Sequence, residues 1–111
     1  MRIALLSILM ACFAAQPSWS IEETAMIIDV RTPAEWAEGR LQSAHHLELN
    51  VFAQGIEAMA PDKDQPIYLY CRSGNRSGQA RDYMVKIGYS NVVNAGGLEE
   101  AAKLLDEPIV K

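Results

Sequence analysis

The apolar residues of this chain come in short blocks, and the spacing within a block changes from one to the next. Met26, Ile27, Ile28 and Val30 are nearly continuous and predict a first strand over 24–30. Runs of this kind fit a parallel strand covered on both faces. Thr32 with Glu35 three residues on makes a capping box, Pro33 suits the first helical position, and Gly39 stops a short helix over 33–38. Residues 41–49 alternate weakly and predict a short strand over 46–48. Asn50 is placed to cap a helix over 51–60, where Val51, Phe52, Ile56 and Met59 fall near helical spacing. Gly55 weakens that helix by about 1 kcal/mol relative to alanine.

A turn at Pro61-Asp62-Lys63-Asp64 leads to the apolar run Ile67-Tyr68-Leu69-Tyr70, a strand over 67–70. Ala80, Tyr83, Met84 and Ile87 then form the stripe of a helix over 79–87, closed by Gly88. A short strand over 91–94, a tight Ala95-Gly96-Gly97 connection and a helix over 98–105 complete the chain. Strands alternating with helices predict an α/β fold, a mostly parallel central sheet flanked by helices on both faces. In such sheets ligands bind beyond the carboxyl ends of the strands.

The first twenty residues follow another pattern. Arg2 is their only charge, residues 3–15 are almost entirely apolar, and Ser18-Trp19-Ser20 puts small residues at a cleavage site. This is the layout of a secretory signal peptide cleaved after Ser20, which leaves 21–111 as one domain, periplasmic or otherwise exported. The alternative is a lipoprotein processed at Cys12, within Leu9-Met10-Ala11-Cys12. The net charge of −4, with no basic run, offers no footprint for nucleic acid. No membrane association is expected once the leader is removed, and a monomer is expected.

With Cys12 gone, Cys71 is the only thiol, in a compartment where structural cysteines usually pair. It ends a strand and opens Cys71-Arg72-Ser73-Gly74-Asn75-Arg76-Ser77-Gly78. Small polar residues there let backbone N–H groups converge on one point, and a helix N-terminus follows. Both favour a thiolate. Cys71 is therefore the candidate nucleophile, with Arg72, Ser73, Gly74, Asn75, Arg76 and Ser77 as candidate substrate contacts. Arg76 has two readings, as an anion contact or as a tie between the loop and the body of the domain. Asp29 reads as a structural acceptor supporting the site, and Arg31 as paired to a nearby carboxylate such as Glu35.

Cys-Arg-Ser-Gly-x-Arg-Ser followed by a helix resembles the active-site loop of the rhodanese family of sulfurtransferases. Asp29-Val30-Arg31, Glu35-Trp36, residues 39–47 and Ala95-Gly96-Gly97 resemble further family segments. The likeness covers nearly all of 27–105. Arg40, Ser43 and His46 depart from it, standing where the family usually has His, Gly and Asn. With a leader and one domain, the chain is most similar to the small periplasmic rhodaneses of the phage-shock type. The resemblance implies a thiosulfate sulfurtransferase. Cys71 would take a sulfane sulfur from a small donor as a persulfide and pass it to cyanide, a thiol or a protein acceptor. No cofactor is implied.

Two other functions compete. A cysteine-dependent phosphatase also frames an anion loop with Cys and Arg, but Arg76 stands one residue too early for that loop. A persulfide carrier without turnover of its own would use the same residues, since fold and motif do not fix function. Other residues read as structural. The adjacent His45 and His46 point to opposite faces of a strand and lack the further ligands a metal needs. Trp36 and Tyr83 read as core or core edge. Glu99 and Glu100 read as solvated, dipole-favoured surface.

Overall fold

The computed structural model describes residues 25–111. The leader, Cys12 and Thr24 lie outside the described residues. The elements run β1 (Met26–Asp29), α1 (Pro33–Glu38), β2 (Arg40–Leu41), β3 (His45–His46), α2 (Phe52–Met59), β4 (Ile67–Cys71), α3 (Asn75–Lys86), β5 (Val92–Gly97), α4 (Leu98–Leu105) and β6 (Ile109–Val110). Four strands form one parallel sheet in the order β3-β1-β4-β5. β4 is central, so the sheet itself carries Cys71 to its carboxyl edge.

Alternation along the strands builds two cores. Ile28, Leu69 and Val92 face one side and pack with Phe52 and Ile56 of α2 and Ala80 and Met84 of α3. Ile27, Tyr70 and Ala95 face the other and pack with Ala101 and Leu98 of α4. Both faces are thus covered by helices, as the strand pattern predicted. No helix among the described residues is long and apolar enough to cross a membrane.

Several boundaries move, each for a tertiary reason. α3 starts at Asn75 rather than 79, because Gly74 takes φ 99°, a left-handed conformation suited to glycine, and turns the chain directly into the helix. Asn75, Arg76 and Ser77 are therefore first-turn residues. β5 runs on through the expected connection to Gly97, which pairs with Cys71 across a register irregularity. The third strand sits at His45–His46, and Leu47 and Leu49 follow it with hydrogen bonds to the Asp29 and Val30 carbonyls.

Asn50 does not cap α2. It lies within a 3-10 turn, Leu49–Val51, that feeds the helix from Val51 without a side-chain cap. β2 and β6 pair antiparallel, and two-residue strands are too short for sequence periodicity to show.

Candidate active site

Cys71 is buried at the end of β4 and is the free cysteine of the described residues. The chain after it curls so that the Gly74 N–H donates to Cys71 Sγ at 3.0 Å. The hydroxyl oxygen of Ser77, itself buried, lies 3.4 Å from the same sulfur. Burial pushes the thiol up. The hydroxyl of Ser77 and the backbone N–H groups of Ser77, Ser73 and Gly74 outweigh that effect and hold it below its ordinary value. The first turn of α3 supplies part of this field, which the earlier helix start brings closer than the sequence pattern suggested.

The predicted loop residues do not all share one environment. Arg72, Ser73 and Asn75 are exposed, while Ser77 is buried beneath the loop. Arg72 points to solvent, its side chain 81% exposed and 3.9 Å from Glu35. Arg76 donates from Nη1 to Glu35 Oε1 at 2.8 Å and from Nη2 to Glu35 Oε2 at 3.0 Å. Of its two readings, this geometry displays the tie between loop and domain body. Glu35 also closes the expected capping box with Thr32. The hydrogen-bonded guanidinium of Arg76 holds the Glu35 carboxyl at about 2, so it stays charged.

Arg31 is not paired to Glu35, whose two oxygens are taken by Arg76. Instead it lies along Asp29, with Nε 3.1 Å from both carboxylate oxygens and Nη2 2.8 Å from Oδ2, and it also donates to the Gly39 carbonyl. Both residues are buried, and the pair braces the carboxyl end of β1 beside the site. His46 Nε2 lies 2.7 Å from the Arg31 carbonyl, to which it donates since that oxygen only accepts. Its ring stacks on Trp36 at 4.7 Å, with Arg40 over the other ring at 4.6 Å. Tyr83 meets Phe52 edge-on at the core. Glu99 and Glu100 are both exposed in the first turn of α4, as read from the sequence, and Glu100 Oε1 in addition accepts the Gly97 N–H at 2.8 Å.

Two site residues escaped the pattern reading. Gly97 touches the loop so closely that a Cβ there would fall 2.5 Å from the Arg72 carbonyl oxygen. Asn94 bonds Ser77 Oγ at 2.7 Å, the Gly74 carbonyl at 2.9 Å and the Gly96 N–H at 3.1 Å. The available signal was an amide on a strand that should favour branched or aromatic residues. Beside the loop, Arg31, Glu35, Glu38, Arg72, Gly97, Leu98, Glu99 and Glu100 line an open, polar cavity of about 370 Å³.

A buried thiol whose ionised form is favoured by converging N–H groups, at the carboxyl edge of a parallel sheet, defines a nucleophilic sulfur site. Residues 16–103 match the rhodanese-like domain, and the chain belongs to that family. It is 37% identical over 75 residues to the thiosulfate sulfurtransferase PspE of Escherichia coli (strain K12), covering 68% of this chain and 72% of that one. It is equally identical, over the same length, to a sulfurtransferase of Allochromatium vinosum, covering 68% of each. A solved structure described as a rhodanese with anions from E. coli superposes with a TM-score of 0.72 at 36% identity, covering 78% of this chain and 98% of that one. The chain is a sulfurtransferase of the rhodanese family.

Proposed function

We propose that the protein is a thiosulfate sulfurtransferase working through a Cys71 persulfide. The observation that carries this reading is the Cys71 sulfur, approached by the Gly74 N–H at 3.0 Å and by the Ser77 hydroxyl. The Cys71 thiolate attacks the outer sulfur of thiosulfate. The donor's S–S bond breaks, sulfite leaves with its electron pair, and the persulfide anion forms. A thiophilic acceptor, cyanide or a thiol, then attacks the outer persulfide sulfur and releases the Cys71 thiolate. No proton moves in either step with cyanide, so the reaction needs no histidine base.

Arg72 meets the anionic donor at the rim, and the N–H groups of the loop through Ser77 hold the charge of the persulfide. Arg76 acts through its tie to Glu35, and Asp29 with Arg31 supports the floor of the site. The apolar run over 3–15 and the small residues before 21 support export. Intact-protein mass spectrometry tests both readings. Thiosulfate treatment should add one sulfur atom, and Cys71→Ser should abolish the gain. A Cys71→Ser protein that still transfers sulfur would overturn the mechanism. Protein recovered from cells should begin at residue 21, and an unprocessed N-terminus would overturn export.

A further inference from the structure

Ser77 has one hydroxyl proton and two acceptors. Its Oγ lies 2.7 Å from Asn94 Oδ1 and 3.4 Å from Cys71 Sγ. One O–H cannot be directed well at both. The Asn94 amide cannot turn aside, because its Nδ2 donates to the Gly74 carbonyl and its Oδ1 accepts the Gly96 N–H. A flipped amide would set oxygen against oxygen and N–H against N–H.

We infer that Asn94 is a positioning residue that competes with Cys71 Sγ for the Ser77 hydroxyl proton, so that the hydroxyl switches partner as charge moves on and off the inner sulfur. With Sγ as thiolate, the hydroxyl donates to sulfur and gives up Asn94. Once the persulfide forms, the negative charge sits on the outer sulfur and Sγ is neutral. The hydroxyl then returns to Asn94 Oδ1. Asn94 so keeps a buried hydroxyl satisfied in the loaded state, and Ser77 is free to stabilise the inner sulfur again when it leaves. This inference rests on the persulfide reading for its role, though not for its test.

The charged groups facing the loop are Arg76 from α3, Glu35 and Glu38 from α1, Asp29 and Arg31 at the end of β1, Glu99 and Glu100 from α4, and Arg72 of the loop itself. Arg76 bonds Glu35, Arg31 bonds Asp29 and the Gly39 carbonyl, Glu35 also meets Thr32 and lies 3.9 Å from Arg72, and Glu100 accepts the Gly97 N–H. Ser77 and Asn94 thus form a hydrogen-bond chain of their own.

The test is the pH dependence of Cys71 alkylation by iodoacetamide in the unloaded full chain, read at the Cys71 peptide by mass spectrometry. Asn94→Leu removes the competing acceptor. It should move the midpoint down by about half a pH unit, which makes alkylation below the midpoint about threefold faster. In a Ser77→Ala background the same substitution should leave the midpoint in place. Asn94→Asp, the same shape with a stronger acceptor, should move the midpoint up, and by more with Ser77 present than with alanine. An unchanged or raised midpoint in Asn94→Leu overturns the inference. So do equal shifts in the two backgrounds for either variant, because Asn94 would then act through loop shape alone. If thiosulfate adds no sulfur to Cys71, the persulfide reading fails, and the alkylation shifts still decide whether Asn94 competes for the proton.

Discussion

Arg76 and Glu35, 41 residues apart in sequence, meet through two parallel hydrogen bonds of 2.8 and 3.0 Å. The pair fastens the first turn of α3 to α1, so the loop that surrounds Cys71 is held at both its strand end and its helix end. The same carboxylate closes the Thr32 capping box. One acidic side chain therefore starts one helix and anchors the start of another.

Glu35→Gln should lower stability by about 2 kcal/mol at neutral pH, the scale of a lost charge-assisted bond. The Glu35 carboxyl sits at about 2 in the folded protein, below its ordinary 4.5. A lowered folded-state value stabilises above the unfolded value and fades as pH falls through the folded one. Denaturant unfolding followed from pH 5 to pH 2 should show a loss in the wild type that is shallower in Glu35→Gln.

Ser77→Ala should raise the alkylation midpoint of Cys71 by about one pH unit, since the thiolate loses a hydroxyl donor that burial prevents water from replacing. Sulfur uptake from thiosulfate at pH 6 should slow by about tenfold, with less effect at pH 9. Stopped-flow uptake across that range checks both.

Arg72→Ala should raise the thiosulfate KM by about three- to tenfold and leave kcat nearly unchanged, because an exposed cation at the rim adds binding rather than transition-state stabilisation. The difference should shrink at high salt, where an interaction between exposed charges is screened. Steady-state kinetics at low and high ionic strength measure it.

Gly97→Ala should destabilise the fold by at least about 2 kcal/mol, since the added methyl meets rigid backbone at Arg72. It also pushes on the residue after Cys71, so sulfur transfer should fall more than thermal stability alone explains. Thermal melts paired with activity at a temperature well below the melt separate the two effects.

Much of this site was legible because its signals are local. The Thr32 to Glu35 capping box, Pro33 at the helix start and Gly39 at its end gave α1 its bounds, and the glycines at 96 and 97 marked where α4 begins. The start of α3 was hidden, since Asn75, Arg76, Ser77 and Gly78 carry no apolar stripe and Gly74 reads equally well as loop. The partner of Arg31 was missed because two carboxylates, Asp29 and Glu35, stood within reach of it in sequence. Arg76, far away in sequence, claimed one of them and left Asp29 to the other.

Sequence-local physics determined the order of the four parallel strands and the four helices along the chain, the covered parallel sheet and the placement of one thiol at a strand end. Those features follow from periodicity, capping and turn chemistry over a few residues. Tertiary packing decided which polar groups reach that thiol. Ser77 faces Sγ because α3 begins four residues earlier than the start expected at 79, and Asn94 meets Ser77 because β5 lies beside β4. Hydrogen bonds between neighbouring elements depend on distances near 3 Å, which spacing along a chain does not encode.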